Sequence, residues 1–232
     1  MKWENNVIRN YRWPGSIDRR EEKEALAIQV AGKVSDHQVI GAGAGSTVYL
    51  TLTKIAEKVV KEGLHVQIIP ASAEISMICM QLGIPQSTLS EAKPDWSFDG
   101  ADEVDREGNL LKGRGGALFR EKLLICSSPE ALILVDRTKF VSRLGTHYPV
   151  PVEVFPPALS WVAEQMKILG ATETVLRPAK GKDGPLFTEN GNWILDVRFP
   201  VIYPEYEQKI KSVSGVIESG LFMGYHVKVI GG

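Results

Sequence analysis

Three stretches of the chain hold residue types suited to proton transfer on a small anion. The first is Gly41-Ala42-Gly43-Ala44-Gly45-Ser46-Thr47. Glycines at a strand-to-helix turn let backbone N–H groups approach an anion, and a helix N-terminus favours negative charge. The same stretch also reads as a tight turn with a capping hydroxyl. A dinucleotide site fits poorly. The third glycine of G-x-G-x-x-G would fall at Ser46, the next strand ends at Ile69-Pro70 without an acidic residue, and no Walker lysine follows. The second stretch is Phe98-Asp99-Gly100-Ala101-Asp102-Glu103. Clustered carboxylates repel one another, which raises some pKa values and suits acid/base work. A solvated acidic turn, with or without a cation, is the plainer reading. The spacing matches no EF-hand, and no histidine lies near enough to suggest a transition metal. The third stretch is Lys112-Gly113-Arg114-Gly115-Gly116-Ala117, followed by Arg120-Glu121-Lys122. Its lysine is placed to reach an oxyanion or phosphate. Glu121 alone would read as a solvated helix residue.

The elements around these stretches bring them together. A helix is predicted over 18–34, with Asp18 and Glu21 as a capping box and Leu26, Ala27, Val30, Ala31 and Val34 on one face. A strand at 38–40 leads into the glycine-rich turn, and a helix follows with Val48, Leu52, Ile55, Ala56 and Val59 inward. Strands at 65–69, 95–98, 110–111 and 131–135 alternate with helices at 75–82 and 115–126. Alternating strands and helices predict a doubly wound parallel α/β sheet. All three stretches follow predicted strands, so they should converge on one sheet edge. That edge would hold an anion cradle, a cation, paired carboxylates and a separate glutamate, an inventory suited to proton transfer on a phosphorylated substrate. From residue 147 the chain becomes proline-dense, then offers a helix at 158–169 and strands at 173–177 and 193–197, predicting a small α+β domain. Residues 216–230 return to strand character and are expected to rejoin the main sheet. Residues 1–15 read as an extended arm.

Composition excludes several classes. With 232 residues, 44% of them apolar, a substantial core is available. A net charge of −1, from 27 basic and 28 acidic side chains, gives no footprint for nucleic acid. No apolar run approaches membrane-spanning length and no signal peptide is evident, so the chain reads as soluble and cytoplasmic. Cys79 and Cys126 have no metal-ligand spacing and are expected to be buried free thiols.

The order G-x-G-S-T, D-G-A-D-E, K-G-x-G-G-A and R-E-K resembles type A ribose-5-phosphate isomerase. So do Asp136–Lys139, the P-V-P-V-E-V run at 149–154, N-G-N-x-I-L-D-V at 190–197 and G-V-I-E-S-G-L-F at 215–222. The similarity runs from about residue 18 to the C-terminus with its spacing kept. It implies a Rossmann-like domain over 1–146, rejoined by 218–232, and a smaller α+β domain at 147–217 inserted before the last strand. It implies interconversion of ribose 5-phosphate and ribulose 5-phosphate without metal or cofactor. Glu121 would be the general base, Asp99 and Asp102 would assist ring opening and hydroxyl proton movement, and Lys112 would face the developing enediolate. Gly45, Ser46, Thr47, Lys139 and Lys23 would hold phosphate and substrate, with Gly100, Ala101, Gly113, Arg114 and Gly115 beside them. A homodimer or homotetramer acting on a sugar phosphate, without nucleic acid or membrane, is the implied state. The chain departs from the family at Ala44, usually threonine, and at Arg114, usually glycine. Residues 70–76 and the first seventeen residues differ as well. Two alternatives are an isomerase of a different sugar phosphate and a non-catalytic sugar-phosphate sensor of the same fold.

Overall fold

The computed structural model describes residues 6–13 and 16–232. Its elements are α1 (Asn6–Arg9), α2 (Arg20–Gly32), β1 (Val39–Ala42), α3 (Ser46–Glu62), β2 (Gln67–Pro70), α4 (Ala73–Leu82) and β3 (Trp96–Asp99). After these come β4 (Glu103–Val104), β5 (Leu110–Leu111), α5 (Leu118–Ser127), β6 (Ala131–Leu134), β7 (Val150–Val154) and α6 (Leu159–Ile168). The chain closes with β8 (Glu173–Leu176), β9 (Trp193–Arg198), α7 (Tyr206–Lys211), β10 (Val216–Ser219), β11 (Leu221–Phe222) and β12 (Val227–Ile230).

The central sheet is parallel, in the order β12-β6-β3-β1-β2. Alternate residues of its strands face opposite sides. Ile40, Ala42, Trp96, Phe98, Leu132 and Leu134 pack under α2, α3 and α4. On the other side, a Cβ at Gly41 would meet Leu124 of α5. Helices thus cover both faces, as the near-continuous apolar strands require. The chain steps from β1 outward to β2, then crosses back to β3. The crevice between β1 and β3 is therefore the topological switch point, where open α/β sheets bind ligands.

A second sheet, antiparallel and ordered β10-β7-β9-β8, has its own core. Val150, Val152, Val154, Leu195 and Val197 pack against Val162 and Met166 of α6 and Ile210 of α7. This mixed α/β architecture agrees with the predicted fold class: strands β7 to β10 lie in the chain between β6 and β12, which are neighbours in the central sheet.

Several local expectations are corrected. Asp18 and Glu21 form no capping box, because Arg19 takes the cap position at φ 50° without a side-chain cap bond. Asp18 lines a cavity instead. The helix expected from 115 begins at Leu118, since Gly113 and Gly116 hold φ values of 105° and 86°, open only to glycine at little cost. Leu110–Leu111 does not join the central sheet. It pairs antiparallel with β4 and β11 in a three-stranded sheet. Of 216–230, only β12 rejoins the central sheet; β10 extends the second sheet from β7. Part of the supposed extended arm is helical at Asn6–Arg9, and Trp13 stacks on Tyr49 at 4.8 Å. Its residues 1–5 and 14–15 lie outside the described residues. Cys79 is buried but Cys126 is exposed, one position past core-facing Ile125 on α5.

Candidate active site

The glycine-rich turn runs from β1 into α3, and Gly45 occupies the helix cap. Ser46 and Thr47 are thus the first helical residues, and their hydroxyls are not used as the cap. The first N–H groups of a helix lack intrahelical partners and carry its positive pole. Gly43 allows the turn to meet the next strand. A Cβ there would lie 1.9 Å from Asp99 Cγ.

Asp99 ends β3 and is nearly fully buried. Its Oδ1 accepts N–H bonds from Ala44 at 3.1 Å and Gly100 at 2.7 Å. Its Oδ2 faces Lys112 Nζ at 2.9 Å. Lys112 enters from the end of β5, across from Glu121 in the first turn of α5, with Nζ 3.2 Å from Glu121 Oε2. The ammonium also donates to the Gly100 carbonyl at 2.5 Å. Lys112 and Glu121 are both buried. Burial alone would lower the Lys112 pKa, but Asp99 and Glu121 outweigh it and hold the ammonium charged. Burial, reinforced by the charge on Asp99, pushes Glu121 up to about 8, with Lys112 opposing. Asp102 is also raised by burial, against the pull of Lys112 and Arg114. One lysine thus serves two buried carboxylates, and a third sits close by.

The remaining acidic residue of that stretch has another task. Glu103 is fully buried and accepts the backbone N–H groups of Gly145, His147 and Tyr148 at 2.6, 2.5 and 3.0 Å. It fixes the loop carrying Tyr148, on which Arg114 stacks at 4.7 Å. Arg114 also approaches Asp102 at 4.0 Å.

These groups border one cavity of about 650 Å³. Lys23, Gly45, Ser46, Thr47, Gly100, Ala101, Asp102, Lys112, Gly113, Arg114, Gly115, Glu121 and Lys139 all line it, and Asp99 stands behind Lys112. Lys23 comes from α2 and Lys139 from a 3-10 turn after β6, capped by Asp136 through Thr138 N–H at 3.0 Å. Burial lowers the Lys23 pKa, with Asp136 opposing. Sequence reasoning missed Ser16, Arg19, Thr138 and Tyr148, which also line the cavity. The first two precede α2 outside any motif. Thr138 lies inside the Asp136–Lys139 motif and was overlooked. An exposed group of Asp36, His37 and His65 sits at the N-terminal ends of β1 and β2, the edge away from this cavity.

The sequence profile of ribose 5-phosphate isomerase A (phosphoriboisomerase A) matches residues 67–232. A ribose-5-phosphate isomerase A of Methanothermobacter thermautotrophicus is 37% identical over 212 residues, 90% of this chain and 93% of that one. The solved structure of ribose 5-phosphate isomerase A from Methanocaldococcus jannaschii superposes with a TM-score of 0.89 at 38% identity, covering 93% and 96% of the two chains. A D-ribose-5-phosphate isomerase solved in complex with phospho-erythronic acid gives 0.87 at 35% identity, with the same coverage.

Proposed function

The chain belongs to the ribose 5-phosphate isomerase A family and is a ribose 5-phosphate isomerase, and from that premise we propose which side chains carry the reaction. The observation that carries the reading is Lys112 Nζ held between Asp99 at 2.9 Å and Glu121 at 3.2 Å beside a cavity lined elsewhere by Ser46, Thr47, Lys23 and Lys139. Asp99 or Asp102 assists opening of the furanose by moving the O1 or ring-oxygen proton. Glu121 takes the C2 proton of the open aldose. Charge then grows on O1, and the Lys112 ammonium stabilises it. Glu121 returns the proton to C1. The O2 proton passes to O1 by way of the Asp99 or Asp102 carboxylate, which leaves a C2 ketone. The phosphate, at the Ser46–Thr47 end, contributes binding remote from the reacting carbons. Phospho-erythronic acid, bound by the solved relative, joins a phosphate to a carboxylate. An enediolate 5-phosphate carries the same two anionic poles. The sensor alternative is not favoured, because an isolated ligand pocket has no need of a buried Lys–Glu pair.

We infer that the reaction needs no metal. Lys112 already supplies the positive charge between the carboxylates, at the place a divalent ion would take. Activity should survive exhaustive chelation. A loss restored by one divalent ion would refute this. For the phosphate end, unphosphorylated ribose should be a very poor substrate, and Thr47→Ala should raise KM about 10–100-fold, the worth of one hydrogen bond to a charged group. Steady-state kinetics on both sugars tests this; equal turnover of ribose and its phosphate would remove the assignment.

We also place the enzyme in the cytoplasm as a homodimer or homotetramer. Among the described residues no helix is long and apolar enough to cross a membrane. Val201 and Tyr203 stand exposed while Ile202 packs into the second core, which supports a subunit contact there.

A further inference from the structure

Lys112 and Glu121 sit at the two ends of a short glycine-rich turn, yet they must keep within 3.2 Å of each other. A turn with two glycines at positive φ has little stiffness of its own. Its support comes from the second sheet. Arg177, the residue after β8, donates from Nη1 to the carbonyls of Gly113 and Arg114, each at 2.8 Å. Its Nε donates to Asp196 Oδ2 at 2.9 Å and its Nη2 to Asp196 Oδ1. Asp196 lies on β9, opposite Val175. Both side chains are largely buried, 13% and 17% exposed. The far end of the turn is held too. Glu189 N–H donates to the Gly116 carbonyl at 3.3 Å, and Arg120 Nη2 to the Glu189 carbonyl at 2.5 Å. That loop is fixed from below by buried Glu153, which accepts from Thr188 Oγ1 and Asn192 Nδ2, each at 2.8 Å.

We propose that Arg177, oriented by Asp196, is a positioning residue that sets the Lys112–Glu121 geometry from the second sheet. The argument rests on the reading that Lys112 and Glu121 act on the substrate. Arg177 does not line the cavity, so it works only through the turn. The residue type follows from the task. A bidentate pair with a carboxylate locks the plane of the guanidinium and leaves Nη1 aimed at both carbonyls. A lysine ammonium offers one point of contact with free rotation and does not reproduce this. The departure at position 114 lies at the same clamp: the Arg114 carbonyl is held by Arg177 while its side chain stacks on Tyr148. The clamp therefore also fixes where that extra guanidinium enters the pocket.

The test uses full-length Arg177→Met, Arg177→Lys and Asp196→Asn, with Glu121→Gln in the same assay. Each is measured for kcat and KM on ribose 5-phosphate, the acid limb of kcat/KM, and thermal midpoint. Arg177→Met should lower kcat about 10²-fold, the scale of an ångström-sized misplacement, with KM near wild type. Its acid limb should move to higher pH, because a withdrawn Lys112 no longer holds the Glu121 pKa down. Arg177→Lys should recover little of the rate. Added guanidinium ion should restore part of it to the methionine variant. A purely structural arginine would lower the thermal midpoint and leave the kcat and acid limb of the folded enzyme as in wild type; that result overturns the proposal. Should Arg177→Met fail to fold, Asp196→Asn decides. A smaller kcat loss with the same limb shift supports the clamp, and an unchanged kcat and limb overturns it. If Glu121→Gln turns over normally, the assignment of Glu121 is what fails. If Glu121→Gln is inactive and folded Arg177→Met is not, only the positioning role fails.

Discussion

Glu121→Gln should lower kcat by about 10²–10⁴-fold, the usual contribution of a positioned acid or base, while thermal midpoint and affinity for a non-reacting sugar phosphate stay near wild type. Glutamine keeps the size of the side chain and its contact with Lys112, but cannot accept the C2 proton. Folding should hardly suffer, because the ionised carboxylate is itself disfavoured there by burial and by Asp99. Lys112 would still keep Asp99 at 2.9 Å and the Gly100 carbonyl at 2.5 Å. The wild-type pH profile follows from the same shift. A general base works only when ionised, so kcat/KM should fall as pH drops through the Glu121 pKa, pushed up to about 8. The acid limb should therefore lie well above the ordinary carboxylate range, and the glutamine variant should lose it. Near wild-type turnover by Glu121→Gln would move the base to Asp99 or Asp102. A kcat/KM limb centred near pH 4 would mean that Glu121 is not raised in the free enzyme, and would overturn this profile.

The parts of the site carried by short local stretches are legible in the sequence alone. Gly45, Ser46 and Thr47 are readable because a strand, a glycine-rich turn and a helix follow one another within a few residues, and Asp99 because it ends a strand beside them. Residue types alone could not separate Asp102, which lines the cavity, from Glu103, one position on and fully buried on three backbone N–H groups. Adjacent residues of an extended segment point to opposite sides, but which side is the cavity depends on the 145–148 loop folding back. Lys112 came out in the right place for an incomplete reason. Its strand belongs to a small antiparallel sheet completed by Leu221–Phe222, more than a hundred residues later. Arg177 and Arg19 were invisible as site residues. Arg177 reads as a strand-end cation and Arg19 as a helix-start cation, and only contacts distant in sequence bring either to the cavity or its turn.

Lys112→Met should be the most damaging single change to the chemistry, and its effects should depend on pH in a definite direction. Lys112 donates to the Gly100 carbonyl and forms ion pairs with Asp99 and Glu121. Methionine fills similar space and removes all three. The developing charge on O1 then loses its cation, worth about 10²–10³ in kcat for a single such donor. A second loss adds to the first. Without the ammonium, Glu121 keeps its burial and the neighbouring Asp99 carboxylate and loses the cation that opposed them, so its pKa rises further. Glu121 is then protonated at neutral pH and unavailable as a base, so the acid limb should move to higher pH than in wild type. Stability follows from the same protons. A carboxyl whose folded pKa exceeds its unfolded one holds its proton more tightly in the native state, so stability falls as pH rises between those values. The variant should be close to wild type in thermal midpoint at acid pH, where Glu121 is neutral. It should fall progressively behind as pH rises, toward the roughly 3–5 kcal/mol cost of a buried charge stripped of its partner. Thermal midpoints of both proteins across pH, set beside their kcat/KM profiles, give the answer. A gap in midpoint that does not widen with pH would show that Lys112 is not what neutralises the pair, and retained turnover would remove it from the reaction.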